Sequence, residues 1–401
     1  MNKSLLIYCL FPMIFFACSK DPVTSEHDLK NEKLQKMIDS VSNYYHTQRN
    51  ITDGGFLIKI NTPSGNYLVS SGINAVAENS HIRVASISKT FNAAAIMLLH
   101  QQGKVNINDI ITANMPGTNT PYIPDSPDYD VPYKNQITLK LLLEHRAGVF
   151  DVTNDKIPVS VQQPYAGQLY VVYIEELPGN DLHTFTFDEM VGVAAVNDLS
   201  YFPPGQQYHY SNTGYHIIGK IIERVSGLTW SEFIETNFLQ PYSLNNTKSV
   251  WQGNDEIIPS PYIESIYYDN GTVINTTLQN MSPHVAEGNI ISTPGDITKW
   301  MTMLLTGQTV INMSSVELMK QVIPTGAPGL SDTQYGLGIS YTEGLGYGHN
   351  GAHLSYLLSD FYNPATGVTV FVATNFWDFP TLFSQGNGMV EFAINAVKVV
   401  Q

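Results

Sequence analysis

The spacing of apolar and polar positions divides the chain into recognisable elements. Leu29, Leu34, Met37, Ile38, Val41 and Tyr45 recur at helical intervals and predict an amphipathic helix over 29–48. Residues 55–61 and 66–72 read as strands joined by the turn signal Thr62-Pro63-Ser64-Gly65. From 86 to 102 the pattern is helical again, with Phe91, Ala94, Ala95, Leu98 and Leu99 on one face and Gly103 as the stop. Residues 105–285 carry short helical patterns between loops rich in Pro, Gly, Asn and Tyr, and 115–135 and 151–184 are long irregular segments. The last third predicts a helix near 294–306, strands at 336–342, 353–362 and 367–375, and a helix near 381–399. Strands in runs joined by short turns imply an antiparallel sheet. The chain ends, 29–104 and 286–401, therefore read as one α+β layer, interrupted by a mostly helical insertion over 105–285. A site is expected in the cleft between them.

Composition narrows the chemistry. The chain has 401 residues, 43% hydrophobic and 11% aromatic, enough for a large core. Twenty Lys and Arg against 35 Asp and Glu leave a net charge of −15, the opposite of a nucleic-acid binder's basic footprint. Cys9 and Cys18 are the two cysteines. Their position at the start excludes a disulfide scaffold, a thiolate zinc site and a cysteine nucleophile in the body of the protein.

The first residues read as targeting. Lys3 and an apolar run over 4–17, interrupted by Pro12, predict a signal peptide over 1–17 that is too short for a comfortable span. Ala17-Cys18 followed by Ser19-Lys20-Asp21 resembles a bacterial lipobox. Cys18 is then the expected lipidation site and 18–28 a tether, with acyl chains holding the protein at a membrane of the bacterial envelope.

Lys89 is the one lysine with a serine three residues before it, Ser86. On a helix that spacing puts the two side chains on one face, about 5–6 Å apart at Cβ. Ser86 would stand in the first helical turn, where free N–H groups and the dipole favour an oxyanion. A desolvated neighbouring amine can take the serine proton. Taken alone, the spacing reads more readily as a helix-capping serine and a solvated lysine; against that, Lys89 is followed by Thr90-Phe91-Asn92-Ala93-Ala94-Ala95, an apolar helix with little exposed character.

The surrounding sequence, His81-Ile82-Arg83-Val84-Ala85-Ser86-Ile87-Ser88-Lys89-Thr90-Phe91, resembles the nucleophile segment of the penicillin-recognising serine hydrolases. Within them it is most similar to the class C β-lactamase and D-alanyl-D-alanine carboxypeptidase family. Two further motifs of that family follow in order, Tyr210-Ser211-Asn212 after Pro203-Pro204-Gly205, and His349-Asn350-Gly351. The stretches 137–145 and 288–296 also resemble the family, and the likeness covers most of 36–400. It implies a β-lactamase/transpeptidase-like fold, an antiparallel sheet flanked by helices from both chain ends. It further implies Ser86 as nucleophile and Lys89 and Tyr210 as the proton-handling pair, with Asn212 holding Lys89 and the substrate amide. His349, Asn350, Gly351 and Ala352 would line the cleft, Gly351 letting substrate approach the backbone and the Ala352 N–H joining that of Ser86 as an oxyanion hole.

The implied function is an acyl-enzyme serine hydrolase of the D-alanyl-D-alanine carboxypeptidase type. It would take D-amino-acid peptides or esters and β-lactams, act as a monomer and need no cofactor. An esterase or β-lactamase of the same family is one rival; a lipoprotein that holds penicillin or peptidoglycan without turnover is another. No G-x-S-x-G elbow occurs, which removes the α/β-hydrolases. His349 and His353 are four apart, a metal spacing on a helix, but Gly351 and the strand pattern argue against metal. His349 stands where class C β-lactamases have lysine, and an ordinary histidine there would be half-charged near pH ~6.5. Arg146 is equally a candidate for a substrate carboxylate and a partner for Glu144 or Asp151. Tyr165, Tyr170 and Tyr173 either shape the pocket or simply pack.

Overall fold

The structure, a computed structural model, describes residues 25–73, 76–326 and 333–401. The expected signal peptide and Cys18 lie outside the described residues. Among those described, the main sheet has eight strands, numbered here in chain order: β1 (Phe56–Thr62), β2 (Gly65–Ser71), β3 (Ile323–Pro324), β4 (Gln334–Tyr335), β5 (Ser340–Thr342), β6 (Gly346–His353), β7 (Tyr356–Asn363) and β8 (Val368–Thr374). Their order across the sheet is β2-β1-β8-β7-β6-β5-β4-β3, antiparallel throughout. The first and last thirds of the sequence thus meet at β1 and β8, where Ile58 pairs with Val372.

The longer helices that concern the site are α1 (Glu26–Gln48), α2 (Lys89–Gln101), α3 (Asn212–Ser226), α4 (Pro294–Leu305) and α5 (Leu382–Val400). α1 and α5 cover one face of the sheet, burying Leu34, Ile38, Met389 and Val397 against Ile58, Val370 and Val372. The opposite face, carrying Leu57, Leu358, Phe371 and Ala373, shares a core with α2, α3 and α4. Alternating residues of β8 therefore enter different cores, and its whole length is buried. α1 starts three residues earlier than its apolar pattern suggests, because Ser25 and Asp28 form a capping box.

α2 is the apolar helix that the run Thr90-Phe91-Asn92-Ala93-Ala94-Ala95 predicts. Every residue from Lys89 to Leu99 is buried, so the helix is the hub of the molecule, apolar nearly all round. Phe91 stacks on Trp300 of α4 at 4.0 Å, and the Trp300 indole N–H donates to Thr90 Oγ1 at 2.9 Å. Residues 105–285 are mainly loops and turns, with helices at Leu139–Leu143, Phe187–Val196 and α3 among them. They also contribute strand pieces: Lys248–Ser249 pairs with Ile290–Ser292, and Ile266–Asp269 runs parallel to Phe376–Asp378. Tyr165, Tyr170 and Tyr173 pack edge-to-face within this part, and the Tyr170 hydroxyl donates to Glu189.

Candidate active site

Within 80–99 every residue is buried except Ser86. It sits in a 3-10 turn, Ala85–Ser88, rather than in the first turn of α2, which begins at Lys89. Three residues per turn eclipse positions i and i+3, so Ser86 Oγ and Lys89 Nζ face each other at 3.3 Å. The turn is pinned from behind. The Ser88 hydroxyl accepts the Ile290 N–H at 3.2 Å, and Thr90 donates to the Ile87 carbonyl at 2.7 Å. Ala85, just before the serine, is held at φ +48°, a conformation uncommon for a residue with a Cβ.

Lys89 is fully buried. Its ammonium donates to Asn212 Oδ1 at 2.7 Å and to the Glu287 carbonyl at 2.8 Å, and lies 3.2 Å from Glu287 Oε2. It also lies 4.8 Å from the centre of the Tyr210 ring. Asn212 is oriented by its other end, where Nδ2 donates to Thr153 Oγ1 at 2.8 Å. The start of α3 is fixed by Ser211, whose side chain caps Gly214 N–H and whose own N–H donates to His145 Nδ1 at 3.0 Å. Buried Asp151 accepts from Asn212 N–H at 3.2 Å and from Thr153 and Asn154, tying the loop after Gly148 to the same helix end. Burial pushes the Asp151 carboxyl up.

β6 brings the third motif to the serine. Gly-rich and polar, it escapes the sequence pattern, which starts a strand only at 353. At its Gly351 a Cβ would meet the Val84 carbonyl oxygen at 2.7 Å. The glycine lets the strand lie against the 3-10 turn that carries Ser86. The expectation of a half-charged His349 is corrected. The ring is fully buried, Nδ1–H donates to the Asn350 carbonyl, and Nε2 accepts the Tyr335 hydroxyl at 2.6 Å. Burial, with the nearby Lys89 charge, lowers its pKa to about 3, so it is neutral at physiological pH. The Asn350 side chain points the other way, accepting from Ser359 Oγ at 2.6 Å.

Ser86, Tyr210, Asn212, His349, Asn350, Gly351 and Ala352 line one cleft of about 440 Å³, so the structure brings together the predicted residues it describes, with Lys89 beneath them. Leu357, Phe383, Met389 and Val390 form an apolar wall at one end. None of the described lining residues is a lysine or arginine. Arg146 donates to the Pro324 carbonyl at 2.7 Å and is not among the lining residues. Sequence reasoning missed Glu287, His284 and Tyr335, whose places depend on distant segments meeting. Tyr335 and His145 flank Tyr210, His145 stacking on it at 4.0 Å.

A family model described as Beta-lactamase matches residues 46–387. The chain belongs to the beta-lactamase family, the serine hydrolases that include penicillin-binding proteins. It is 28% identical over 172 residues to penicillin-binding protein 4* of Bacillus subtilis (strain 168), a match covering 42% of this chain and 31% of that protein. It is 24% identical over 272 residues to the human mitochondrial serine beta-lactamase-like protein LACTB, covering 57% and 48%. The match thus spans less than half the length of either relative. In fold it resembles the D-amino acid amidase of Ochrobactrum anthropi SV3 crystallised with D-phenylalanine, with a TM-score of 0.72, 22% identity and coverage of 93% and 99%. The octameric penicillin-binding protein homologue of Pyrococcus abyssi gives 0.68 at 21% identity, covering 91% and 77%. In this member of the family a half-buried, cleft-lining Ser86 faces a fully buried Lys89.

Proposed function

We propose that the protein hydrolyses D-amino-acid peptides of the D-alanyl-D-alanine carboxypeptidase type through an acyl-enzyme on Ser86. The observation that carries this reading is the 3.3 Å contact between cleft-facing Ser86 and fully buried Lys89. Ser86 Oγ attacks the substrate carbonyl carbon, and its proton passes to the Lys89–Tyr210 pair. The carbonyl electron pair moves onto oxygen, where the N–H groups of Ser86 and Ala352 receive it; one such donor is worth about 3–4 kcal/mol. The leaving group takes the proton, and water then releases the acyl group.

The cleft favours a second reading of the leaving group. A carboxypeptidase substrate presents a terminal carboxylate, yet the described lining offers no lysine or arginine, and His349 is neutral. An uncharged leaving group, an amide or an ester, fits that wall better. The relatedness to penicillin-binding proteins and the fold shared with a D-amino acid amidase are compatible with both forms. Purified protein is offered a D-Ala-D-Ala peptide, the same peptide as its C-terminal amide, a short-chain aryl ester and a fluorescent penicillin. Faster release from the amide supports the second form, and release from the free peptide supports the first. Ester turnover alone makes the protein an esterase, and labelling by penicillin without turnover of peptide, amide or ester makes it a sensor.

Anchoring through lipidated Cys18 in a bacterial envelope belongs to the same proposal. Among the described residues no helix is long and apolar enough to cross a membrane. Metabolic labelling with an alkyne fatty acid, lost in Cys18→Ala, is the result expected.

A further inference from the structure

One ionisable side chain in contact with Lys89 has no part in that scheme. Glu287 is 2% exposed. Its Oε2 lies 3.2 Å from Lys89 Nζ, its own carbonyl accepts from the same ammonium at 2.8 Å, and its Oε1 accepts His284 Nδ1–H at 2.6 Å. A carboxylate in such a place is strongly unfavourable unless paired. Burial alone would raise its carboxyl, but Lys89 and His284 outweigh that and hold it down to about 2.

The other titratable groups facing Lys89 are Tyr210 and Tyr215, whose ring centres lie 4.8 and 5.3 Å from Nζ, and the buried histidines His145, His216 and His349. Burial keeps these histidines neutral at physiological pH. Glu287 therefore brings a negative charge to the ammonium at 3.2 Å, with His284 holding the carboxylate in place.

We propose that Glu287 is a positioning residue that keeps Lys89 an ammonium ion throughout turnover, which leaves Tyr210 to carry the proton. This rests on the reading of Ser86 as nucleophile. Tyr210 enters as the phenolate, paired with the Lys89 ammonium. Its oxygen takes the Ser86 Oγ–H proton as the Oγ–C bond forms and gives that same proton to the leaving nitrogen or oxygen as the bond from carbon to that atom breaks. Lys89 neither gains nor loses a proton; it supplies fixed charge beside both oxygens.

The test reads the lysine itself. Protein labelled with ¹³Cε-lysine is titrated by NMR, the Lys89 signal being assigned by its loss in Lys89→Arg. In the wild type the signal stays at the ammonium position to at least about pH 9. In Glu287→Gln its titration moves down by about 1–3 pH units, the size of shift an adjacent opposite charge produces. The variant's kcat/KM falls with rising pH along the same curve, where the wild type stays flat. A wild-type Lys89 that is neutral at pH 7, or identical Lys89 titrations in wild type and variant, overturns the proposal. A uniform loss of activity in Glu287→Gln with no Lys89 shift does so too. The titration does not depend on which substrate is cut. If Ser86→Ala keeps full turnover, it is the nucleophile reading that fails.

Discussion

A Cβ atom on Gly351 would lie 2.7 Å from the Val84 carbonyl oxygen and 3.2 Å from Ala85 Cβ. Strand β6 and the turn that carries Ser86 therefore pack closely, and the spacing between Ser86 and Ala352 depends on a missing side chain. Gly351→Ala must push the two apart. Overpacking of this kind costs about 1–3 kcal/mol. Activity should fall further than stability does, by at least about tenfold in kcat, because a misplacement near 1 Å can cost on the order of 10²-fold. Thermal melts and kcat measured on the same preparation check this; a variant as active as the wild type contradicts it.

Asp151 holds the segment that holds Asn212. Its carboxylate accepts from Asn212 N–H and from the Thr153 and Asn154 backbones, inside the protein. Asp151→Ala strands those donors, at about 1–3 kcal/mol for each buried group left unsatisfied. The variant should melt lower and lose kcat by about tenfold or more, since Asn212 no longer positions Lys89. Urea unfolding and steady-state kinetics test the two effects separately.

Buried neutral histidines set an acid limit. Burial holds His145 and His353 well below the ordinary value, His216 at about 4 and His349 at about 3. Unfolded, each takes up a proton near pH ~6.5. The unfolded state therefore binds more protons below that pH, and stability is lost as pH falls from about 6.5 toward 3–4, by up to about 1.4 kcal/mol per pH unit for each histidine. With four such histidines against one raised carboxyl, Tm should fall as pH is lowered from 6.5 to 5. His349→Gln should fall less steeply, whereas parallel slopes would contradict the assignment.

Asp360 works in the opposite direction. It lies on β7 opposite His349, fully buried, and neither carboxylate oxygen has a hydrogen-bond partner among the described residues. Burial pushes its carboxyl well above the usual range. The folded state then keeps a proton that the unfolded chain releases near pH ~3.9, so this residue costs stability increasingly as pH rises above that. Asp360→Asn should melt higher than the wild type at pH 8, with the gap closing toward pH 4. An equal gap at both pH values would show that the carboxyl is not the cause.

The motif residues were legible in the sequence because each carries a short-range constraint that survives without its partners. Ser86 and Lys89 are three apart on one turn, Tyr210-Ser211-Asn212 opens a capped helix, and Gly351 marks a close approach. The antiparallel sheet followed from runs of strands with short turns, and most helix ends were within three residues. β6 was not legible, since Gly346, Gly348 and Gly351 erase its alternation; backbone proximity demands the last of these. Glu287, Tyr335 and the charge state of His349 come from segments distant in sequence meeting in one core, and no local pattern reports that. The same holds for Asp360, a polar residue where alternation on a doubly buried strand has nothing to say.

The central claim is that Ser86 becomes acylated. Intact-protein mass spectrometry after brief exposure to a penicillin or an activated D-amino-acid ester tests it directly, with peptide mapping to locate the adduct. One acyl mass per chain is expected on the peptide containing Ser86, absent in Ser86→Ala. An adduct mapping to another residue, or one that forms equally in Ser86→Ala, would contradict it.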